Sequence, residues 1–297
     1  MLKFHLISGL PRSGSTLLAA ILRQNPGFHA DMSGPLGPLF NAMLAAMGPN
    51  NETAQFIDGD QRRRLLRSLF DTFYHDRPRN GVVFDTNRVW TSLLPQVAEV
   101  VPDAKVICCV RSLAWVMDSL ERLTRENALI PSRLFSSAEE RLTVFTRTEA
   151  LARRDRLVGF AWSALQEAYY GDQSDRLLIL EYDILSQRPR ETLQLVYRFL
   201  DEPWFEHDFQ NVEYSREQFD AGLGVPGLHT VRPVVQPVAR RSILPPELFR
   251  KYSALSFWRE QGSSKAARIT VEQPAGAARE PPQSTGMPGD DSSRETL

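Results

Sequence analysis

The sequence predicts an α/β fold, a three-layer α/β/α arrangement around a central, mostly parallel sheet. Three observations carry this. Short apolar runs at residues 3–8, 82–84, 105–110 and 177–180 have the look of buried strands. The stretches between them carry apolar residues at helical spacing. The first run leads through a Gly-rich turn into Leu17-Leu18-Ala19-Ala20-Ile21-Leu22, which is a strand, a loop and a helix start in succession.

Taken in order, residues 3–8 form the first strand and residues 15–24 the helix after the turn. Residues 26–60 mix Pro, Gly and Met, with a helical piece near 38–47. Leu65, Leu66, Leu69, Phe70 and Phe73 give residues 60–74 the spacing of a helix. Val82-Val83-Phe84 is a strand ended by Asp85-Thr86-Asn87, with a helix following to about residue 100. Residues 105–110 are the next buried strand, and residues 112–124 its helix. Residues 141–169 read as one long, arginine-rich helical region, and residues 177–180 as a further strand. Pro189 opens a helix to Leu200, a favoured place for proline. Near residue 262 large apolar residues give way to Pro, Gly, Ser, Ala and charges. The expected division is a domain over 1–262 and a disordered tail over 263–297.

The chain has 297 residues, a formal net charge of −1, 42% hydrophobic and 24% charged residues, ordinary values for a globular protein. The near-neutral balance argues against a dedicated nucleic-acid binder. Cys108 and Cys109 are adjacent in a strand and point to opposite faces. They read as small core residues in a reducing compartment rather than as a disulfide. His5, His29, His75, His207 and His229 show no metal-ligand spacing, so no metal is expected. No apolar run is long enough to span a membrane. The polar Pro11-Arg12-Ser13-Gly14-Ser15-Thr16 interrupts any signal-peptide core, so a cytoplasmic location is expected.

The chemistry is concentrated at three strand ends. Gly9-x-x-x-x-Gly14-Ser15-Thr16 has Walker A spacing, giving a P-loop-like start, but Ser15 stands at the lysine position and the cation is Arg12. Backbone N–H groups of such a loop and the first helical turn converge on a phosphate or sulfate. The second polar group is Asp85-Thr86-Asn87-Arg88. The third is Arg111-Ser112, followed by Ser119 two helical turns on. Arginine and hydroxyl together suit a second anionic group, while Arg111 alone could equally form an ion pair.

These residues resemble the sulfotransferases that use 3′-phosphoadenosine 5′-phosphosulfate (PAPS). The resemblance runs from about residue 3 to Trp258. It implies that the loop Pro11, Arg12, Ser13, Gly14, Ser15 and Thr16 holds the 5′-phosphosulfate. It implies that Arg111 and Ser119 hold the 3′-phosphate. Tyr182, in Leu180-Glu181-Tyr182-Asp183, resembles the family's strand-end tyrosine. Arg232, in His229-Thr230-Val231-Arg232-Pro233, resembles the cation of a late loop that closes over the cofactor. The arginine in the first loop is closer to the tyrosylprotein sulfotransferases, bacterial ones included, than to the cytosolic phenol enzymes. The implied products are a sulfated hydroxyl and 3′,5′-diphosphoadenosine (PAP).

The chain departs from the family at the base. Counting from Arg111, Asp85 falls where the tyrosylprotein enzymes place a lysine. Counting from the first loop, Ser33 falls where they place the glutamate base, and Asn87 falls near the histidine base of the cytosolic enzymes. Arg12, Asp85 and Asn87 are the catalytic candidates. Asp85 is first choice as base, before Asp31 and His29, with a salt bridge to Arg88 or Arg12 as its plain structural alternative.

The acceptor is open among a peptide tyrosine, a lipid, a sugar and a small phenol or alcohol. The arginines Arg141, Arg147, Arg153, Arg154 and Arg156 could dock an acidic peptide or simply form a solvated helix face. A kinase using ATP and magnesium on a small molecule shares the loop but lacks the Walker lysine. A non-catalytic nucleotide-binding module would bind the cofactor without turnover. The oligomeric state, a homodimer included, is open.

Overall fold

The computed structural model describes residues 2–130, 132–260, 262 and 264–271. Six strands form one sheet: β1 Lys3–Gly9, β2 Phe28–Ala30, β3 Val82–Thr86, β4 Val106–Val110, β5 Leu177–Glu181 and β6 Ala267–Ile269. Their order is β2-β3-β1-β4-β5-β6, and every neighbouring pair is parallel. All six C-terminal ends therefore lie along one edge. β1 is continued toward β2 on one side and β4 toward β5 on the other, so the crevice between β1 and β4 is a switch point, where α/β sheets bind ligands.

Strand alternation builds two cores. Ile107 and Cys109 of β4, with Leu178 and Leu180 of β5, face one layer containing the helices Ser15–Leu22 and Pro189–Leu200. Val106, Cys108 and Val110, with Leu177 and Ile179, face the other. That layer holds Gly59–Phe73, Leu94–Val100, Leu113–Glu126 and Leu157–Tyr170. Burial on both faces explains why the strands are continuously apolar. The two cysteines face opposite cores as free thiols, and burial raises the pKa of each.

Helix ends follow local chemistry. Asp58 and Gln61 form a capping box on Gly59–Phe73. Pro189 starts its helix, and Asp201 ends it in the left-handed conformation at φ 59°. The single helical region expected over 141–169 is two helices, Val144–Ala152 and Leu157–Tyr170. Arg153 and Arg156 turn extended between them. Gly159 lies where a Cβ would come within 2.2 Å of the Ala152 carbonyl, so the second helix packs directly on the end of the first. Ordered pairing continues past the boundary expected at residue 262. β6 pairs with β5 beyond it, with Ile179 opposite Arg268, because the sheet edge supplies hydrogen bonds that the local composition does not advertise. Residues 272–297 of the expected tail lie outside the described residues. Among the described residues no helix is long and apolar enough to cross a membrane.

Candidate active site

The loop after β1 is shaped by left-handed residues: Gly9 at φ 104°, Arg12 at φ 57° and Gly14 at φ 90°. A Cβ on Gly9 would lie 2.2 Å from the Cys109 carbonyl, so the loop can leave β1 beside β4 only with glycine there. Gly14 packs against Tyr182, whose ring carbon is 2.7 Å from the position of a Cβ. The helix Ser15–Leu22 starts at Gly14 without a side-chain cap, which leaves its first-turn N–H groups for a ligand. Pro11, Arg12, Gly14, Ser15 and Thr16 line a cavity of about 880 Å³. Ser13 does not: it is buried, with its hydroxyl on the Pro11 carbonyl at 3.3 Å, and shapes the loop from inside.

Arg12 crosses the crevice. Its Nε donates to Ser119 Oγ at 3.0 Å, and another guanidinium N–H donates to the Leu228 carbonyl. Ser119 is thus joined to the first loop as well as lying on the helix that follows β4, so the two expected anion subsites share a wall. Burial lowers the Arg12 pKa, and the nearby Arg240 and Arg111 charges lower it further.

Arg111 ends β4 and stacks over the Tyr182 ring, 4.4 Å from its centroid, with Asp183 3.8 Å away. Tyr182 is therefore a wedge between the glycine loop and Arg111. Arg240, which the motifs did not reveal, lies over Trp115 at 5.3 Å. The buried Asp118 holds it at 3.1 Å and also accepts the Ile243 amide at 2.7 Å. Arg111 Nε and Arg240 Nε are buried without a hydrogen-bond partner. Unmatched guanidinium donors that meet in one cavity suit an oxyanion.

The end of β3 corrects two expectations. Asp85 does not reach the cavity. It shares a sheet face with Val83 and points into the helical layer, where it accepts from Tyr74 Oη at 2.5 Å and Trp90 Nε1 at 2.8 Å. Burial pushes its carboxyl above the usual range, against those two hydrogen bonds. Asn87 caps the turn after β3, accepting from the Val89 amide and donating to the Gly34 carbonyl at 3.0 Å, so it too is structural. The residue of this group that lines the cavity is Arg88, which has no hydrogen bond or ion pair from its guanidinium among the described residues. Burial lowers its pKa as well.

The other base candidates also lie off the cavity. Asp31 accepts from Tyr214, Arg216 and the Met32 amide. Burial raises its carboxyl, but these bonds outweigh it and the net shift is downward. His29 packs against Tyr74 at 5.6 Å between centroids. Ser33 does line the cavity. So do Arg232 and His229 of the late loop. His229 is fastened to Asp220, a pairing that the sequence left invisible.

Six arginines (Arg12, Arg88, Arg111, Arg133, Arg232 and Arg240) thus line one cavity, and among the described residues Asp183 is the one carboxylate on its wall. Trp115, Leu134, Leu157, Phe219 and Val225 add apolar surface to the same cavity, with Trp115 beneath Arg240. The arginine-rich helices contrast with this. Arg147 pairs with Glu121 at 2.6 Å, Arg153 and Arg156 with Glu140 at 3.0 and 2.9 Å, and Arg141 donates to the Ser132 carbonyl. These charges are engaged by the fold, which leaves little of them for docking an acidic peptide.

The sequence model of the Sulfotransferase family matches residues 6–206. No curated protein matches the chain. Among solved structures, the sulfotransferase domain from the curacin biosynthetic pathway is similar at 15% identity. It covers 86% of this chain and 92% of that one, with a TM-score of 0.49. The sulfotransferase domain from the Synechococcus PCC 7002 olefin synthase gives 16%, 88%, 96% and 0.46. Sulfotransferase STF9 from Mycobacterium avium gives 15%, 89%, 78% and 0.48.

Proposed function

The chain belongs to the Sulfotransferase family, and from that premise we propose that it transfers the sulfuryl group of PAPS to an acceptor hydroxyl, in line, releasing PAP. One observation carries the reading: buried, unpartnered guanidinium donors of Arg111 and Arg240 stand beside an uncapped, glycine-shaped helix start in one cavity. A nucleoside carrying phosphates on both its 3′ and 5′ oxygens fits that arrangement.

PAPS, when bound, supplies the activated sulfuryl group. The residues would divide the rest. The amides of Ser13–Thr16 and the Arg12 guanidinium would hold the 5′ end and the charge that develops on the leaving phosphate. Arg111 and Ser119, with Arg240 beside them, would hold the 3′-phosphate, the group that separates PAPS from ATP. Tyr182 would keep Arg111 aimed, and Arg232 and Arg88 would add further cations to the cavity. The apolar residues of the cavity, Leu134, Leu157, Phe219 and Val225, favour a phenolic acceptor. A peptide tyrosine belongs in that class, in keeping with the resemblance to the tyrosylprotein enzymes. The comparisons give no support to the kinase alternative.

A thermal-shift titration with PAP, ATP plus magnesium, and AMP tests the reading, because a ligand that binds only the native state raises the Tm. PAP is expected to stabilise most. A shift with magnesium-ATP and none with PAP would overturn the proposal.

A further inference from the structure

The expected bases, Asp85, Asp31 and His29, lie off the cavity, yet transfer from a hydroxyl requires a proton acceptor at its wall. The late loop supplies one. The chain turns back after the helix Glu217–Gly222 through two left-handed glycines, Gly224 at φ 69° and Gly227 at φ 80°. This brings His229 onto Asp220. Asp220 Oδ1 lies 2.5 Å from His229 Nδ1, and Oδ2 accepts the His229 amide at 2.8 Å. Asp220 is 1% exposed, so both its oxygens are committed to one residue in a place closed to water.

An imidazole whose Nδ1–H is held by a carboxylate presents Nε2 as a lone pair, and the carboxylate stabilises the imidazolium that forms on protonation. His229 lines the cavity, and its Nε2 makes no hydrogen bond among the described residues. The preceding residue, Leu228, accepts the Arg12 guanidinium through its carbonyl, which ties the imidazole to the phosphate-loop cation. The groups around the imidazole are Asp220, the edge of Phe219 at 5.7 Å, Arg12 across Leu228, and Arg232 on the same loop.

We propose that His229 is the general base of the transfer and that Asp220 is its positioning residue. The inference rests on the sulfotransferase reading and adds the group which that reading lacks. His229 Nε2 takes the proton of the acceptor hydroxyl as its oxygen bonds to sulfur. The bond from sulfur to the bridging phosphate oxygen breaks, and its electron pair leaves with the phosphate of PAP beside Arg12. The imidazolium, held by Asp220, then gives its proton to solvent. Hydroxyl and PAPS become sulfate ester, PAP and one proton.

The experiment combines histidine-selective ¹⁵N NMR with transfer assays on the full chain, its H229Q and D220N variants, and PAP. In the wild type, His229 is expected to show a protonated, hydrogen-bonded Nδ1 and a free Nε2 whose resonance moves when PAP is added. H229Q should keep its thermal shift with PAP while losing about a hundredfold or more in transfer to 2-naphthol, the usual scale for a general base. D220N should lose about tenfold or more, with the Nδ1 signature gone. Transfer to p-nitrophenol, a much stronger acid than 2-naphthol, should fall far less. A His229 resonance indifferent to PAP, or H229Q transferring to 2-naphthol within about threefold of wild type, would overturn the assignment while PAP binding stood. A wild type that fails to bind PAP would overturn the donor reading, and this inference with it.

Discussion

Two sets of arginines in this chain look alike in sequence and do opposite things. Along the helices Val144–Ala152 and Leu157–Tyr170 and their approaches, Arg147, Arg153 and Arg156 each meet a carboxylate, Glu121 or Glu140. At the sheet edge, Arg88 meets none, and Arg111 and Arg240 keep buried Nε donors unmatched despite contacts with Asp183 and Asp118. The difference teaches that countercharge, rather than arginine density, separates a binding surface from a fastening. A guanidinium matched to a carboxylate of the fold locks helices together. One that shares a cavity with five other arginines and, among the described residues, a single carboxylate is prepared for an anion.

The contrast can be broken most forcefully on the fastening side. Glu121 is almost wholly buried and takes two hydrogen bonds from Arg147 and one from Arg125. E121A should cost about 3–5 kcal/mol of stability in chemical denaturation, because it leaves Arg147 uncompensated. Burial raises the Glu121 carboxyl but the arginine bonds outweigh it, so its folded pKa lies below the ordinary value. That contribution is complete above the unfolded carboxyl value and is lost as pH falls through the lower folded one. The stability of E121Q should therefore fall less steeply with acid than that of the wild type.

On the binding side, R111A should leave stability near wild type and weaken PAP by about 2–3 kcal/mol, some hundredfold in Kd by calorimetry. D85N should cost about 1–2 kcal/mol of stability through the Tyr74–Trp90 network and leave turnover per folded molecule unchanged. A large loss of turnover would restore Asp85 to the chemistry. The smallest effect belongs to R153Q/R154Q, which should leave the acceptor KM and its salt dependence unchanged. A raised KM that becomes insensitive to salt would return an acidic-peptide dock to those helices.

What the sequence showed and what it hid divide along the same physical line. The four central strands, the glycine loop, Arg111 and Ser119 are written in local runs and short spacings, and the loop, Arg111 and Ser119 line one cavity. β2 and β6 are three-residue strands held by pairing alone, so no local pattern announces them. Asp85 was misplaced because proximity to a strand end does not say which face a side chain takes; sharing a face with Val83 does. Arg240 depends on Asp118 capturing a segment far along the chain, and His229 on two left-handed glycines folding the loop back onto Asp220. Such tertiary returns have no periodicity to read.

The most direct test of the central claim is calorimetric titration of the wild type and R111A with PAP and with adenosine 5′-phosphate. The wild type should prefer PAP by about a hundredfold, the scale of one charged, multiply hydrogen-bonded contact, and R111A should lose that preference. Equal affinity for the two nucleotides in the wild type would contradict a 3′-phosphate site at Arg111 and Ser119, and with it the assignment of the cavity to PAPS.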